Sequence, residues 1–193
     1  MDIVSYLLGK NSSSGGGGGL DWSLLGYENT PESIIDGYNY ALNIKNNWDS
    51  SVTSFSYEGD NNLVYFPLVD TSNVTSMIST FSRIPTLAYI PELDTSNVIS
   101  MIQTFYGSSG LKYIPLLNTS KVTTFTDVFS NNPNLNDESL DNILQMCINA
   151  TSYNGTKTLS QIGLNRYNYP ASRIQALPHY EDFINAGWTI GYN

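Results

Sequence analysis

Leu63-Val64-Tyr65-Phe66-Pro67-Leu68-Val69-Asp70-Thr71-Ser72-Asn73-Val74-Thr75-Ser76-Met77 returns as Leu87-Ala88-Tyr89-Ile90-Pro91-Glu92-Leu93-Asp94-Thr95-Ser96-Asn97-Val98-Ile99-Ser100-Met101. It returns again as Leu111-Lys112-Tyr113-Ile114-Pro115-Leu116-Leu117-Asn118-Thr119-Ser120-Lys121-Val122-Thr123-Thr124-Phe125. Twenty-four residues separate Leu63 from Leu87 and Leu87 from Leu111, without a gap, and Leu135 stands one further period on. Self-similarity at such a period marks an architecture of stacked repeats. One copy has too little apolar surface to fold alone, so the columns Leu63, Phe66, Val69, Val74, Met77 and Phe81 are expected to be buried against the next copy.

This reading predicts an α/β solenoid of leucine-rich-repeat type. Short parallel strands, Tyr-(Phe/Ile)-Pro with the middle residue inward, stack on one face, and short helices lie on the other. Helical caps close both ends. Proline at the same place in every strand removes one ladder donor, so each strand is short and stops there. Asp70, Asp94 and Asn118, each followed by Thr-Ser, are read as turn formers that cap a helix beginning near Val74. Pro85, Pro133, Gly107 and Gly110 close the repeats.

Outward from the repeats the chain divides into further pieces. Residues 1–10 form a short amphipathic anchoring segment with Ile3, Val4, Tyr6, Leu7 and Leu8, and residues 11–19 form a Gly/Ser linker that acts as a tether. Residues 20–62 make an N-terminal helix/strand cap. Thr30 is its expected N-cap, Pro31 the first helical residue, and Ile34, Ile35, Tyr38, Ala41 and Leu42 share one face of a helix running to about Trp48. A strand is expected over Val52–Tyr57. The three 24-residue repeats occupy 63–134, and 135–193 is a C-terminal cap. That cap holds a helix from Asn136 to about Ala150, a strand-like Leu159–Leu164, a helix from about Ala171 to Ala186 ended by Gly187, and a final strand Trp188–Tyr192.

The chain of 193 residues has 8 basic and 17 acidic side chains, a net charge of −9, and only 13% charged residues. No two basic residues are adjacent, which argues against nucleic acid and against anionic lipid, since both need clustered Lys and Arg. No apolar run approaches the ~18 residues of a membrane span. The first ten residues lack the basic start and the small-residue cleavage site of a secretion signal. The expectation is a protein made in a cytoplasm that does not leave by the general secretory route.

Candidate chemistry is sparse. Cys147, the single cysteine, lies in an apolar helical run and reads as a buried hydrophobe. His179, the single histidine, reads as a surface turn or helix start. Glycan hydrolysis needs two carboxylates facing across a cleft, and the acids here are scattered. Calcium prefers several oxygens at fixed spacing, but one carboxylate per repeat suits a turn better. No cofactor and no catalytic residue is expected. Tyr65, Tyr89 and Tyr113 recur as a column that offers flat amphipathic area for contact, or else simply covers the sheet.

The motif Leu-x-Tyr-Ile-Pro-x-Leu-Asp-Thr-Ser-Asn-Val-x-x-Met-x-x-x-Phe resembles the BspA-type leucine-rich repeat over residues 63–134. Copy three departs from it at Asn118, Lys121 and Phe125. The closing Phe183-Ile184-Asn185-Ala186-Gly187-Trp188-Thr189-Ile190-Gly191-Tyr192 resembles the last unit of phage or prophage members. Tyr6-Leu7-Leu8-Gly9-Lys10 before a glycine run is similar to virion-protein leaders of phages. The resemblance implies adhesion or recognition, with no catalytic residue to carry over. The expected function is that of a non-enzymatic virion structural or accessory protein on the head, neck or tail. Residues 1–10 would hold it to other virion proteins, many copies on a symmetric particle, while the repeats meet bacterial surface glycan or protein. The alternative is a bacterial interaction module, at the cell surface or inside the cell, that is not part of a virion.

Overall fold

The computed structural model describes residues 31–192. The expected N-cap Thr30, the tether 11–19 and the anchor residues Ile3, Val4, Tyr6, Leu7 and Leu8 lie outside that range. Four helices are present among the described residues: α1 (Pro31–Asn46), α2 (Asp137–Asn149), α3 (Ala171–Gln175) and α4 (Tyr180–Asn185). None of them falls within the repeats.

The expected α/β solenoid, with strands on one face and helices on the other, is corrected by this arrangement. Among the described residues there is no strand. Parallel pairing is confined to isolated bridges: Ser54 with Ser76, Tyr65 with Tyr89, Ser76 with Ser100, Ser100 with Thr124, and Thr158 with Thr189. The anticipated strands at Val52–Tyr57, Leu159–Leu164 and Trp188–Tyr192 are therefore absent, as is the helix expected from Val74. At the tyrosines the reason is local. Phe66 N donates to Tyr89 O at 3.1 Å, and the next residue, Pro67, has no N–H with which to continue a ladder.

Between Ser76 and Arg83 the backbone takes a form that is neither strand nor helix. Ser79 and Arg83 have φ of 53° and 57°, Gln103 has 54° one period on, and Asp127 and Asn131 repeat the pattern at 52° and 60°. Gly59 and Gly107 occupy the Arg83 position in neighbouring copies, with φ of 74° and 70°. A left-handed residue every fourth position cannot propagate an α-helix, because it turns the following amide out of the i to i−4 direction. The amides of Met77, Ser79, Phe81 and Arg83 instead donate to the carbonyls of Ser100, Ile102, Thr104 and Tyr106, at 2.9, 2.9, 2.8 and 2.6 Å. Met101, Gln103, Phe105 and Gly107 do the same to Thr124, Thr126, Val128 and Ser130. The amides between them close short turns, Thr80 to Met77 O and Ser82 to Ser79 O among them. Backbone donors are thus satisfied with no regular element.

Inside, the expected columns are buried, except that Val69 is only partly buried where its counterparts Leu93 and Leu117 are core. Leu63, Phe66, Val74, Met77 and Phe81 and their counterparts Leu87, Ile90, Val98, Met101 and Phe105 are all core. Phe81, Phe105 and Phe129 stack nearly parallel, with centroids 5.7 and 6.0 Å apart. Buried threonines tie the copies together: Thr71 Oγ1 donates to Asp94 O and Thr95 Oγ1 to Asn118 O, both at 2.9 Å. Thr119 Oγ1 reaches Met146 O in α2 in the same way.

The ends are sealed by different means. At the first, α1 presents Gly37, Ala41 and Ile44 to the protein, while Leu42, expected on that face, is 39% exposed. A Cβ at Gly37 would stand 3.1 Å from Val64 Cβ and 3.3 Å from the Tyr65 ring, so the glycine lets the helix backbone approach Tyr65. Trp48 then covers Phe55 and Phe66 and donates its indole N–H to Asp70 O at 2.8 Å. At the other end α2 starts where sequence placed it. Asn136 caps it by accepting from Ser139 N at 2.8 Å, with Asp137 and Glu138 in its first turn, where the helix dipole favours acids. The single helix expected over Ala171–Ala186 is two, α3 and α4, separated around Pro178, which cannot donate within a helix. Gly187, with φ of 84°, ends α4 as expected. Trp188 is buried against Phe125, Tyr153 and Phe183.

Two predictions follow from this packing. Phe105→Ala removes the central ring of the stack and is expected to cost about 3–5 kcal/mol. Thr95→Val leaves the Asn118 carbonyl without its partner and costs about 1–3 kcal/mol. Urea unfolding of both variants measures these losses; a Phe105→Ala change below about 1 kcal/mol would contradict the stack. The second concerns pH. Burial pushes Tyr65 and Tyr192 up to about 12, and a hydrogen bond to the Asp60 carboxylate, followed by burial, does the same for Tyr40. A raised tyrosine stabilises the fold fully below its ordinary value of 10.0 and loses that contribution as pH climbs through its folded value. Urea midpoints should therefore hold up to about pH 10 and fall between there and 12. Complete tyrosinate absorbance near pH 10 with native circular dichroism would oppose this.

Candidate functional site

Of the three tyrosines expected as an outward column, the first is not on the surface. Tyr65 is 2% exposed, enclosed by α1 at Gly37. Tyr89 is bridged to it and half-buried, and Tyr113 is half-buried as well. Burial raises the Tyr113 hydroxyl first, and the nearby Glu138 carboxylate adds to that. The column therefore begins as core and opens only over its second and third members. Sequence could not reveal this, because what covers Tyr65 is a glycine in a segment outside the repeats.

A different surface carries two of the large exposed apolar side chains of the repeats, Leu116 beside the tyrosine column being another. Ile78 is 48% and Ile99 50% exposed. Ile99 lies between Thr75 and Thr123, both exposed. Ile99 N donates to Thr75 O and Thr123 N to Ile99 O, each at 2.8 Å. Beside that row, Ser54, Ser76, Ser100 and Thr124 form the bridged row, with Thr124 Oγ1 donating to Ser100 Oγ at 2.6 Å. Ile78, Ile102 and Thr126 recur one period apart, and Ser79 N donates to Ile102 O and Gln103 N to Thr126 O. The result is a wall of Thr, Ser and Ile with no charged residue in any of these rows, whose spacing is fixed by the backbone. Sequence contained a usable signal here: Ile99 stands where both neighbouring copies carry threonine, and Ile78 and Ile102 share a column with Thr126.

The Asp/Asn column behaves as turn chemistry. Asp70 Oδ1 accepts from Ser72 N, Asp94 Oδ1 from Ser96 N and Asn118 Oδ1 from Ser120 N, at 3.0, 2.9 and 3.0 Å. The hydrogen bonds from Ser72 and Ser96 hold the Asp70 and Asp94 carboxyls below their ordinary range. No helix follows these turns. Asn73 and Asn97 each donate from Nδ2 to the preceding copy, to Ser50 O and Ser72 O. Lys121, the departure in copy three, reaches back to Asn97 Oδ1 at 2.6 Å, so the substitution keeps a link between copies. Among the described residues no group of three or more His, Cys, Asp or Glu is placed to hold a metal.

The remaining reactive side chains lie in the C-terminal unit. Cys147 is fully buried in α2, and burial pushes its thiol well up. His179 precedes α4 and holds Asp141 of α2 through Nδ1 at 2.7 Å and its backbone N–H at 3.0 Å. This double contact joins two helices that pack together.

A family described as "Mycoplasma protein of unknown function, DUF285" matches residues 61–161, 101 of the 193 residues. No curated protein and no solved structure matches the chain. The matched span contains all three repeats and α2, and thus the hydrogen-bonded wall described above. This chain belongs to the DUF285 family, which is associated with BspA-like repeat proteins.

Proposed function

We propose that the protein is a non-enzymatic recognition protein that adheres to a partner through the uncharged Thr/Ser/Ile wall of its repeats. The observation behind this reading is the half-exposure of Ile78 and Ile99 within rows whose spacing the backbone sets. Isolated exposed apolar residues are ordinary. Here Ile99 lies between threonines and Ile78 one copy from Ile102, on a pre-ordered surface that needs little further ordering on binding. A neutral wall on a chain with net charge −9 suits a partner that is itself polar and uncharged, such as bacterial surface glycan or protein.

The setting proposed is a virion. Residues 1–10 would dock to other particle proteins, residues 11–19 would hold the repeats clear, and many copies would turn weak single contacts into firm attachment. The description of the matching family as a Mycoplasma protein favours the second reading, a bacterial interaction module outside any virion. Mass spectrometry of purified phage particles separates the two: the chain is found in the particle fraction under the first and only in cell fractions under the second.

The surface itself is tested with the full chain, fluorescently labelled and titrated onto intact bacterial cells. Ile99→Asp combined with Thr123→Asp is expected to weaken binding at least tenfold. Thermal stability should stay near that of the parent, because substitutions at exposed sites usually change it by no more than about 0.5 kcal/mol. Undiminished binding by the double variant would exclude this wall as the contact surface.

A further inference from the structure

Where the third repeat meets the C-terminal unit, the surface sinks into a cavity of about 250 Å³ lined by Ser130, Asn131, Ser160, Asn165, Arg166 and Tyr167, among others. Three features set it apart from the rest of the surface. The first is its cation. The chain has three arginines; Arg83 pairs with Glu58 at 2.5 Å and Arg173 with Asp137 at 2.7 Å. Arg166 pairs with no carboxylate among the described residues. Its guanidinium lies 5.2 Å from the centroid of the Tyr167 ring and 3.4 Å from the Tyr167 hydroxyl. In a chain with twice as many acids as bases, a guanidinium left without an acid at a cavity is a ready receptor for a carboxylate, which it can bind in two-pronged fashion.

The second feature is the aromatic ring. Tyr167 is 83% exposed, although aromatic side chains are usually sheltered. With Arg166 over it, the ring forms a flat amphipathic platform at the cavity. The third is a preformed loop. Gly163 has φ of 98°, and a Cβ there would stand 2.3 Å from Ser130 Oγ and 2.4 Å from Ser130 N. Only glycine lets this loop lie on the third repeat. Asn165 Oδ1 then accepts from the amides of Tyr167 and Asn168, at 3.1 and 3.2 Å. That shapes the turn and leaves the Asn165 amide NH2 as the group it can offer a ligand. Tyr192 closes the far wall, its hydroxyl donating to Tyr169 O at 2.6 Å. Residues 163–167 lie beyond the span matched by the family, so the cavity joins a family element, the third repeat, to a loop outside it.

We propose that this cavity binds a single acidic sugar unit, a monosaccharide bearing one carboxylate. Arg166 takes the carboxylate, the Tyr167 ring packs on the apolar face of the sugar, and the amides of Asn165 and Asn131 meet its hydroxyls. The size admits one ring, since sites for larger ligands run from about 300 Å³ upward. One guanidinium amid neutral amides and hydroxyls matches a single negative charge. A phosphate monoester, with nearly two charges and three acceptor oxygens, calls for more donors and more positive charge. A neutral hexose would leave Arg166 unused. The site is independent of the Thr/Ser/Ile wall.

Ligand-observed NMR on the full chain tests this with D-glucuronic acid and N-acetylneuraminic acid, against D-glucose, methyl glucuronate and inorganic phosphate. At least one acidic sugar is expected to bind with Kd on the order of 1 mM, weak as befits one small ring, and at least tenfold more tightly than glucose or the methyl ester. Arg166→Gln should abolish that preference, Tyr167→Ala should weaken binding of the acid, and Ile99→Asp should bind it as the parent does. Both substituted site residues are exposed, and unchanged thermal unfolding checks that the variants fold. Absence of binding by both acidic sugars overturns the proposal, as does equal binding of glucose or tighter binding of phosphate. Loss on Ile99→Asp would place the ligand on the wall and overturn it as well.

Discussion

Everything in the repeats depends on one constraint: alternate backbone amides of the first two copies donate to carbonyls twenty-three residues further along, and Asp127 and Phe129 of the third donate to Gln161 and Ile162 of the C-terminal unit. Met77 to Ser100, Ser79 to Ile102, Phe81 to Thr104 and Arg83 to Tyr106 are one such set, and the next copy repeats it. These bonds fix the rise and register between copies without any strand or helix. The amides left over close tight turns, which is possible because left-handed residues recur at Ser79, Gln103 and Asp127 and at Gly59, Arg83, Gly107 and Asn131. Once register is set, Phe81, Phe105 and Phe129 must stack, and Thr71, Thr95 and Thr119 must each find a carbonyl one layer on. The same register aligns Thr75, Ile99 and Thr123 on the outside, so the proposed contact wall is a consequence of the backbone and not a separate design.

An array of this kind needs its two ends closed, since a terminal copy would otherwise expose a full layer of apolar side chains. The N-terminal end uses α1, which comes close enough at Gly37 to enclose Tyr65, with Trp48 laid across Phe55 and Phe66. The C-terminal end uses α2 in place of a fourth copy. Asn136 N donates to Lys112 O, Ile114 N donates to Ser139 Oγ, and Thr119 reaches Met146 O. Beyond it, Tyr169 hydrogen-bonds through its hydroxyl to Asn132 O and Leu135 N, while Trp188 covers Phe125. The loop that creates the Arg166 cavity belongs to this closing unit, which has freedom to vary that the repeats lack.

The period, the inward columns and the limits of α2 were legible from the chain, because apolar residues at a constant spacing have one economical arrangement and Asn136-Asp137-Glu138 is a strong helix start. The secondary structure within the repeats was not. Val74, Met77 and Phe81 stand at i, i+3 and i+7, the spacing of a helical face, and nothing in that pattern distinguishes a helix from a chain of turns with the same side chains inward. The distinguishing signal was weaker: Gly59, Gly107 and Asn131 fall on one column with Arg83, and glycine and asparagine there report a left-handed backbone. The tyrosine column misled for another reason. Its members are equivalent within the repeats, but Tyr65 has α1 as a neighbour and the others do not. Exposure is a property of the assembled molecule, and the same holds for Arg166, whose lack of an acid partner among the described residues only their folded arrangement displays.

The account is tested most directly by amide hydrogen exchange, resolved by NMR, across residues 74–110. It predicts that Met77, Ser79, Phe81, Arg83, Met101, Gln103, Phe105 and Gly107 are among the slowest amides of the protein. Chemical shifts at Ser79, Arg83 and Gln103 should be those of left-handed residues. Fast exchange at these eight amides, or a continuous run of helical shifts from Val74 to Arg83, would contradict it.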